Sequence, residues 1–342
     1  MAKQASACPR VDIGGQAVME GVMMKAPDAI AIAVRRPDDS IVVKRRDYAS
    51  PAKKHPWMGW PLVRGVVNLV TMLSFGMTTL QESTEMLGLM DEEPTKFEKW
   101  LAARLGKGID KVVMGVAVVL AVILSVGLFI LLPTAVEKGV LALGASVTAA
   151  TLIGGVVKIL ILIAYMIFCG FVPDVRRTFQ YHGAEHKTVY CHESGAPLTP
   201  ENCAPFTTLH TRCGTAFLLI VFIISIALSL VVGQNIHQFI WRFLMHLALL
   251  PVVAGISYEV LKGLAHSDSR IAQILRWPGL QMQRLTTRQP DSKMLECAIV
   301  AMNVALHGLP ENAPRTEEGY TLLHSYKESE PGYVFPHAEP RA

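Results

Sequence analysis

Two histidines and a glutamate stand close together in 181-YHGAEHKTVYCHESG-195, with His182 and His186 four residues apart and Glu185 between them. On a helix, side chains four apart share a face with Cβ atoms about 5–6 Å apart. Two imidazole nitrogens can then reach one zinc ion at the usual ~2.0–2.1 Å. The pattern H-x-x-E-H is the inverted zincin arrangement: both histidines hold the metal, and the glutamate takes a proton from the water that the metal activates. Such a site needs a third protein ligand and one position left for water and substrate. His210 and Glu259 are the favoured candidates for that ligand, and the choice between them is open. The segment 209-LHTRCGT-215 puts His210 and Cys213 three apart, on one face if helical. Cys213 is a less favoured thiolate ligand, and a nucleophilic pair of Cys213 with His210 is a further arrangement. Arg212 or His210 could stabilise a developing oxyanion. The competing reading has two interior histidines hydrogen-bonded to neighbours, a surface Glu185, and Glu259 paired with Lys262 or Arg212.

The chain must put these groups on one element. Pro173 ends an apolar run, Asp174 suits an N-cap, and a helix can continue to about Tyr190. Val175, Phe179, His182, His186 and Val189 recur on one face of it, so the histidines belong to the inward side. Gly183 weakens this helix by up to about 1 kcal/mol relative to alanine.

Composition indicates a membrane protein. Of 342 residues, 51% are hydrophobic and only 18% charged, where soluble domains carry nearer a quarter charged. Val112 to Leu132, Leu152 to Val172 and Thr215 to Gly233 are long and apolar enough to span, and Phe243 to Leu261 is a weaker fourth run. Residues 1–112 hold sixteen Lys and Arg, 133–151 one, 173–214 four, 234–242 one and 262–293 six. This alternation predicts four spans with both termini and the 173–214 loop in the cytoplasm. No secretory signal pattern precedes residue 110. The six cysteines form no CxxC pair and no disulfide framework. No basic stripe with interleaved aromatics is present, which argues against nucleic acid as a partner. Membrane lipids are the expected partner, together with a possible homo-oligomeric copy.

The expected organisation has five parts. Residues 1–56 form a small β-containing unit: 29-AIAIAV-34, the turn 37-PDDS-40 and 41-IVVKRR-46 make a hairpin. In 13-IGGQAVMEGVMMK-25 the favoured reading of Glu20 is a polar residue on the water-facing side of a strand; the alternative has Gln16 and Glu20 reaching toward a site built by other segments. Residues 57–111 hold an interfacial or re-entrant apolar helix led by Trp57 and Trp60, then an amphipathic helix over 91–111. Residues 112–261 are the membrane region, 262–309 two helices broken at Pro278 and at Gln289-Pro290, and 310–342 a disordered tail. Lys158 reads as snorkelling or paired, and His246 as a hydrogen-bonded interior histidine.

The strings 14-GGQAVMEGVMMK-25, 181-YHGAEHKT-188, 210-HTRCGT-215, 256-ISYEVLK-262 and 285-LTTRQP-290 resemble the YqhQ-like family of bacterial inner-membrane proteins, over about residues 10–306. The resemblance implies a multi-pass protein of the bacterial cytoplasmic membrane, in a family described as predicted metal-dependent enzymes, and supplies no substrate. The expected fold is mainly α: a polytopic helical membrane protein with a β-containing N-terminal unit and a helical C-terminal part. The expected function is hydrolysis of a peptide or lipid-linked substrate, with zinc or another divalent metal on His182, His186 and His210 or Glu259, and Glu185 as base. The alternatives are a membrane scaffold with a buried polar network, and a small-solute transporter lined by Lys158, His246 and Glu259.

Overall fold

The computed structural model describes residues 13–88, 109–232, 239–265, 267 and 269–335. They fall into two compact units: one from the ranges 1–89, 166–218 and 254–342, the other from 90–165 and 219–253.

The first unit is organised by a five-stranded antiparallel sheet in the order β1-β2-β3-β4-β5, with β1 Gly14–Val18, β2 Gly21–Lys25, β3 Ala29–Arg35, β4 Ile41–Asp47 and β5 Thr321–Leu323. The expected hairpin pairs Ala29 with Asp47 through to Arg35 with Ile41. Its turn is tied by Asp38, whose side chain accepts from Ser40 N and Oγ at 3.0 and 2.6 Å. β1 and β2 form a second hairpin turning at Glu20, which takes a left-handed φ of 48°. Glu20 does reach another segment, accepting both nitrogens of Arg177 and, at 3.3 Å, the Tyr181 hydroxyl. That contact orients the hairpin and lies apart from the histidines' own partners.

The sheet is buried on both faces because its strands are apolar on both. Val22, Met24, Ala31, Ala33, Ile41 and Val43 face helices Pro173–Glu193 and Ser292–His307. Val18, Met23, Ile30, Ile32, Val34 and Val42 face the other way, toward Met86 and Leu87 at the end of helix Val63–Met86. In β3 the small residues, Ala31 and Ala33, lie on the first face, so Ser292–His307 can approach closely. Cys297 Sγ donates to the carbonyl of Ala33 at 3.1 Å. This helix starts at an Asp291 cap accepting from Met294 N at 2.8 Å. It buries Met294, Leu295, Ile299, Val300, Met302 and Val304, each contributing on the order of 1.5–3 kcal/mol.

Numbering the helices in chain order, α1 is Pro51–Lys54, α2 Val63–Met86, α3 Ile109–Val126, α4 Leu132–Ala142, α5 Val147–Cys169, α6 Pro173–Glu193, α7 Pro200–Cys203, α8 Gly214–Val232, α9 Phe239–Ala265, α10 Arg270–Thr286 and α11 Ser292–His307. Five stretches among the described residues are long and apolar enough to cross a membrane: Val63–Met86, Gly115–Ala142, Val147–Cys169, Gly214–Val232 and Leu247–Leu264. The expectation was four. The addition is α2, whose helix begins earlier and ends later than its uninterrupted apolar run. In the second unit a π turn, Gly127–Leu131, joins α3 to α4 immediately before Pro133, whose missing N–H breaks the regular ladder. α5 packs there through small residues. A Cβ on Gly155 would come within 2.7 Å of Ile226, and Thr151 donates to the buried Glu137 at 2.8 Å.

Several local expectations are corrected. The N-cap of α6 is Val172, with Pro173 and Asp174 inside the first turn. Pro278 sits inside α10 and does not end it; the break falls after Thr286. Within the 310–342 tail expected to be disordered, the described residues include a strand: Leu323 is fully buried and β5 closes the edge of β4. A three-residue strand amid Pro, Glu and Gly leaves little periodic signal. The amphipathic helix expected over 91–111 falls almost wholly outside the described residues.

Because β5 is held by Leu323 on one side of a two-faced core, Leu323→Ala is expected to cost about 2–4 kcal/mol. The thermal midpoint of the full chain in detergent measures this. An unchanged midpoint would mean that β5 is dispensable to the sheet.

Candidate functional site

α6 carries His182, Glu185 and His186 beneath β1 and against the segment that follows α10. Two glycines make those approaches possible. A Cβ on Gly183 would lie 2.0 Å from the carbonyl oxygen of Arg288, and one on Gly15 would lie 2.6 Å from Cγ of Glu185. Helix weakening at Gly183 is thus the condition for a backbone crossing, which the amide of Arg288 completes by donating to the carbonyl of Phe179 at 2.9 Å.

The crossing sets the histidine chemistry. His182 Nδ1 lies 2.9 Å from the carbonyl oxygen of Thr286, and His186 Nδ1 is bonded to that of Thr208. A carbonyl only accepts, so both Nδ1 atoms carry the proton. With the proton on Nδ1, Nε2 is the ring atom that can offer a lone pair, the arrangement that outer hydrogen bonds give to metal-ligating histidines. His182 Nε2 lies 3.3 Å from Cys213 Sγ. The ligand atoms of His182, His186 and Cys213 all fall within 4.8 Å of one another, and His186 and Cys213 are buried. The carboxylate of the buried Glu185 is 3.4 Å from His186 Nε2. Two acceptors facing each other in a water-poor setting repel unless a proton or a cation lies between them.

His210, one of the two favoured third ligands, stands apart from the group that His182, His186 and Cys213 form. His210 and Cys213 are joined by a turn, with Cys213 N donating to the carbonyl of His210 at 3.3 Å, and α8 begins only at Gly214. The turn aims the two side chains differently. His210 Nδ1 accepts from Arg212 N at 3.4 Å, which leaves the proton on Nε2, 3.9 Å from a Glu193 carboxylate oxygen. His210 therefore presents no lone pair to the pair of histidines, although its ring lies 5.4 Å from that of His186. Burial holds its imidazole below the usual range, partly opposed by the carboxylate of Glu185. Arg212 is ion-paired with Glu193. Glu259 is not with the histidines: both of its oxygens bind Arg64, and one accepts from Leu62 N at 3.3 Å. Its four-residue neighbourhood suggested Lys262, but the arginine arrives from α2, far away in sequence.

Gln283 had given no signal of its own. It is fully buried in α10, and its amide clamps the backbone of His210, accepting from His210 N at 2.7 Å and donating to His210 O at 2.8 Å. Thr287 Oγ1 lies 3.4 Å from Thr208 Oγ1 and extends the link. The string 285-LTTRQP-290 was legible as unusual, but the role of its Thr286 carbonyl as acceptor from His182 Nδ1 depends on a crossing that no local pattern announces.

Two substitutions test this framework. Gly183→Ala must push back the Arg288 carbonyl and is expected to lower stability by several kcal/mol, as overpacking and strain do. Gln283→Ala leaves the buried amide and carbonyl of His210 without partners, at about 1–3 kcal/mol for each. Thermal unfolding of the purified chain reads both, and wild-type midpoints would break the proposed clamp.

The chain matches the family model described as protein of unknown function (DUF1385) over residues 60–308. It is 33% identical over 302 residues to the uncharacterized protein YqhQ of Bacillus subtilis (strain 168), covering 86% of this chain and 92% of that one. No solved structure matches. A family model covering most of the sequence establishes that the chain belongs to the DUF1385 family of unknown function, and the relative aligned along nearly its full length is itself uncharacterized.

Proposed function

We propose that this is a metal-dependent membrane enzyme, with one divalent ion, zinc by donor type, held by His182, His186 and Cys213. The observation that carries the reading is the convergence of two Nδ1-protonated imidazoles and one thiol on a point beside a buried carboxylate. Two nitrogens and one sulfur suit zinc and leave a fourth position open. A divalent ion there would polarise a carbonyl or phosphoryl oxygen and make a water more acidic. Glu185 stands where it can take the proton from an attacking water and return it to a leaving group. His210, with its proton on the outward nitrogen, and Arg212, held by Glu193, line the approach and can stabilise charge developing on the substrate. The reaction class is hydrolysis of a peptide or lipid-linked substrate.

The membrane arrangement supports the same reading. β5 comes from the end of the chain and pairs with β4 from its beginning, and α6 and α11 pack on that sheet. All must lie on one side of a bilayer, so the chain crosses an even number of times between them. Three candidate spans precede α6 and two follow it, so at least one of the first three does not cross. α2 is the one we assign. Its last turns are on the sheet: Glu82 pairs with Lys44 at 3.2 Å and Arg46 at 3.1 Å, and Met86 is buried in the core. The remaining dozen or so residues would extend roughly 18 Å, against about 30 Å of hydrocarbon. Four spans then remain, and the positive-inside bias puts both termini and the candidate site in the cytoplasm of a bacterial inner-membrane protein.

Elemental analysis of the detergent-purified chain is expected to find about one zinc per chain, lost in His182→Ala, His186→Ala and Cys213→Ser. His210→Ala and Glu259→Gln are expected to keep it. Full metal occupancy in all three ligand variants, or none in the wild type, would remove the enzyme reading and leave a buried polar network in a scaffold. Glu185→Gln is expected to retain zinc and to slow turnover by about 10²–10⁴-fold on any substrate found. Cysteine-accessibility mapping in intact cells checks the topology: residues introduced at 50 and 310 should be reached only after permeabilisation, and labelling of one alone would refute an even number of crossings.

A further inference from the structure

We propose that α10 lies in the plane of the inner-leaflet interface, with one face in lipid and the other holding the candidate site. Its outward face is apolar at helical spacing: Ile271, Ile274, Leu275 and Pro278 fall at i, i+3, i+4 and i+7. Ile271 is 71% exposed, Ile274 70% and Leu275 56%, whereas Ala272, Gly279, Gln283 and Thr286, about a quarter turn round the helix, are buried, as is Met282 where the stripe reaches its C-terminal turns. Three bulky aliphatic side chains set outward on one stripe would be costly to leave in water, at about 25 cal/mol for each Å² of apolar surface.

The bilayer is the occupant that position selects. Five residues separate Arg270 from Leu264, the end of a membrane-length stretch, so the start of α10 cannot lie more than about 20 Å from it. The inner face is fixed from another direction. A Cβ on Gly279 would meet Ala216 at 2.8 Å, in the first turn of α8, itself membrane-length. α10 is thus held at the ends of two such helices, and its stripe is bordered by the exposed Arg270, Arg284 and Trp277. Arginines suit lipid phosphates, and a tryptophan suits the headgroup boundary. The same helix carries Gln283, which clamps His210, and the Thr286 carbonyl that fixes His182. Lipid contact on one face therefore bears directly on the geometry of the other. The lipid contact itself does not depend on whether a metal binds.

The test uses the full chain with Trp57, Trp60, Trp100 and Trp241 changed to Phe, so that Trp277 alone emits, reconstituted in phosphatidylcholine–phosphatidylglycerol vesicles with brominated acyl chains. The expected result is loss of Trp277 emission, greater with bromines near the headgroup end of the chain than with bromines near its terminal methyl. Aqueous iodide should have little effect. Ile271→Glu with Ile274→Glu should abolish the bromine quenching while the circular dichroism stays helical. Quenching by iodide and not by bromine would overturn the proposal. So would protection from both quenchers together with disulfide cross-linking between copies through Ile274→Cys, which would assign the stripe to a second copy of this chain.

Discussion

The contact on which the candidate site depends is the crossing of two backbones at Gly183. Nothing larger than hydrogen fits between α6 and the carbonyl of Arg288. That closeness puts the carbonyl of Thr286 on one histidine. It also brings Gln283 to the backbone of the 208–213 loop, whose own carbonyl at Thr208 holds the other histidine. Both rings are thereby fixed in the same tautomer by main-chain groups, which cannot rotate away as side chains can. The histidines are oriented by the chain's path, and the path is permitted by one glycine.

The sheet supplies the second constraint. Its strands come from both ends of the sequence; one face is covered by α6 and α11, and the other by the end of α2. Every covering element is separated from the next by membrane-length helices. The segments that build this core are thus far apart in sequence and meet only on the sheet. The large buried groups around it are consistent with one packed unit. Burial pushes the Cys297 thiol up to about 12 and raises Tyr181 well above the ordinary tyrosine range, so both stay neutral. Arg177, bonded to both oxygens of Glu20, stays charged.

Much of the fold was legible. The β3–β4 hairpin showed in alternating apolar residues around a Pro-Asp-Asp-Ser turn, and α6 in the recurrence of Val175, Phe179, His182, His186 and Val189. The fourth strand pair, β4 with β5, was not, because three residues near the C-terminus carry no period and their partner is nearly three hundred positions away. In the candidate site the two histidines were legible from spacing, while Cys213 was read only as a less favoured third ligand than His210 or Glu259. His182 and His186 share a helix, so spacing alone puts them together. Cys213 meets them, and His210 is aimed elsewhere, because the 208–213 loop turns before α8 begins at Gly214. Glu259 was set aside by Arg64, a partner that no local count of neighbouring charges could supply.

The sequence by itself determined that this is a membrane-length helical chain with a small β-rich start, and that two imidazoles and a carboxylate stand on one helix. These follow from composition and from periods of two and 3.6 residues, which are local properties. Tertiary structure alone decided which third side chain joins them, which nitrogen of each imidazole is free, and that both chain ends share one sheet. Those depend on contacts between segments far apart in sequence, where hydrogen bonding and close packing, and not spacing, fix what meets what.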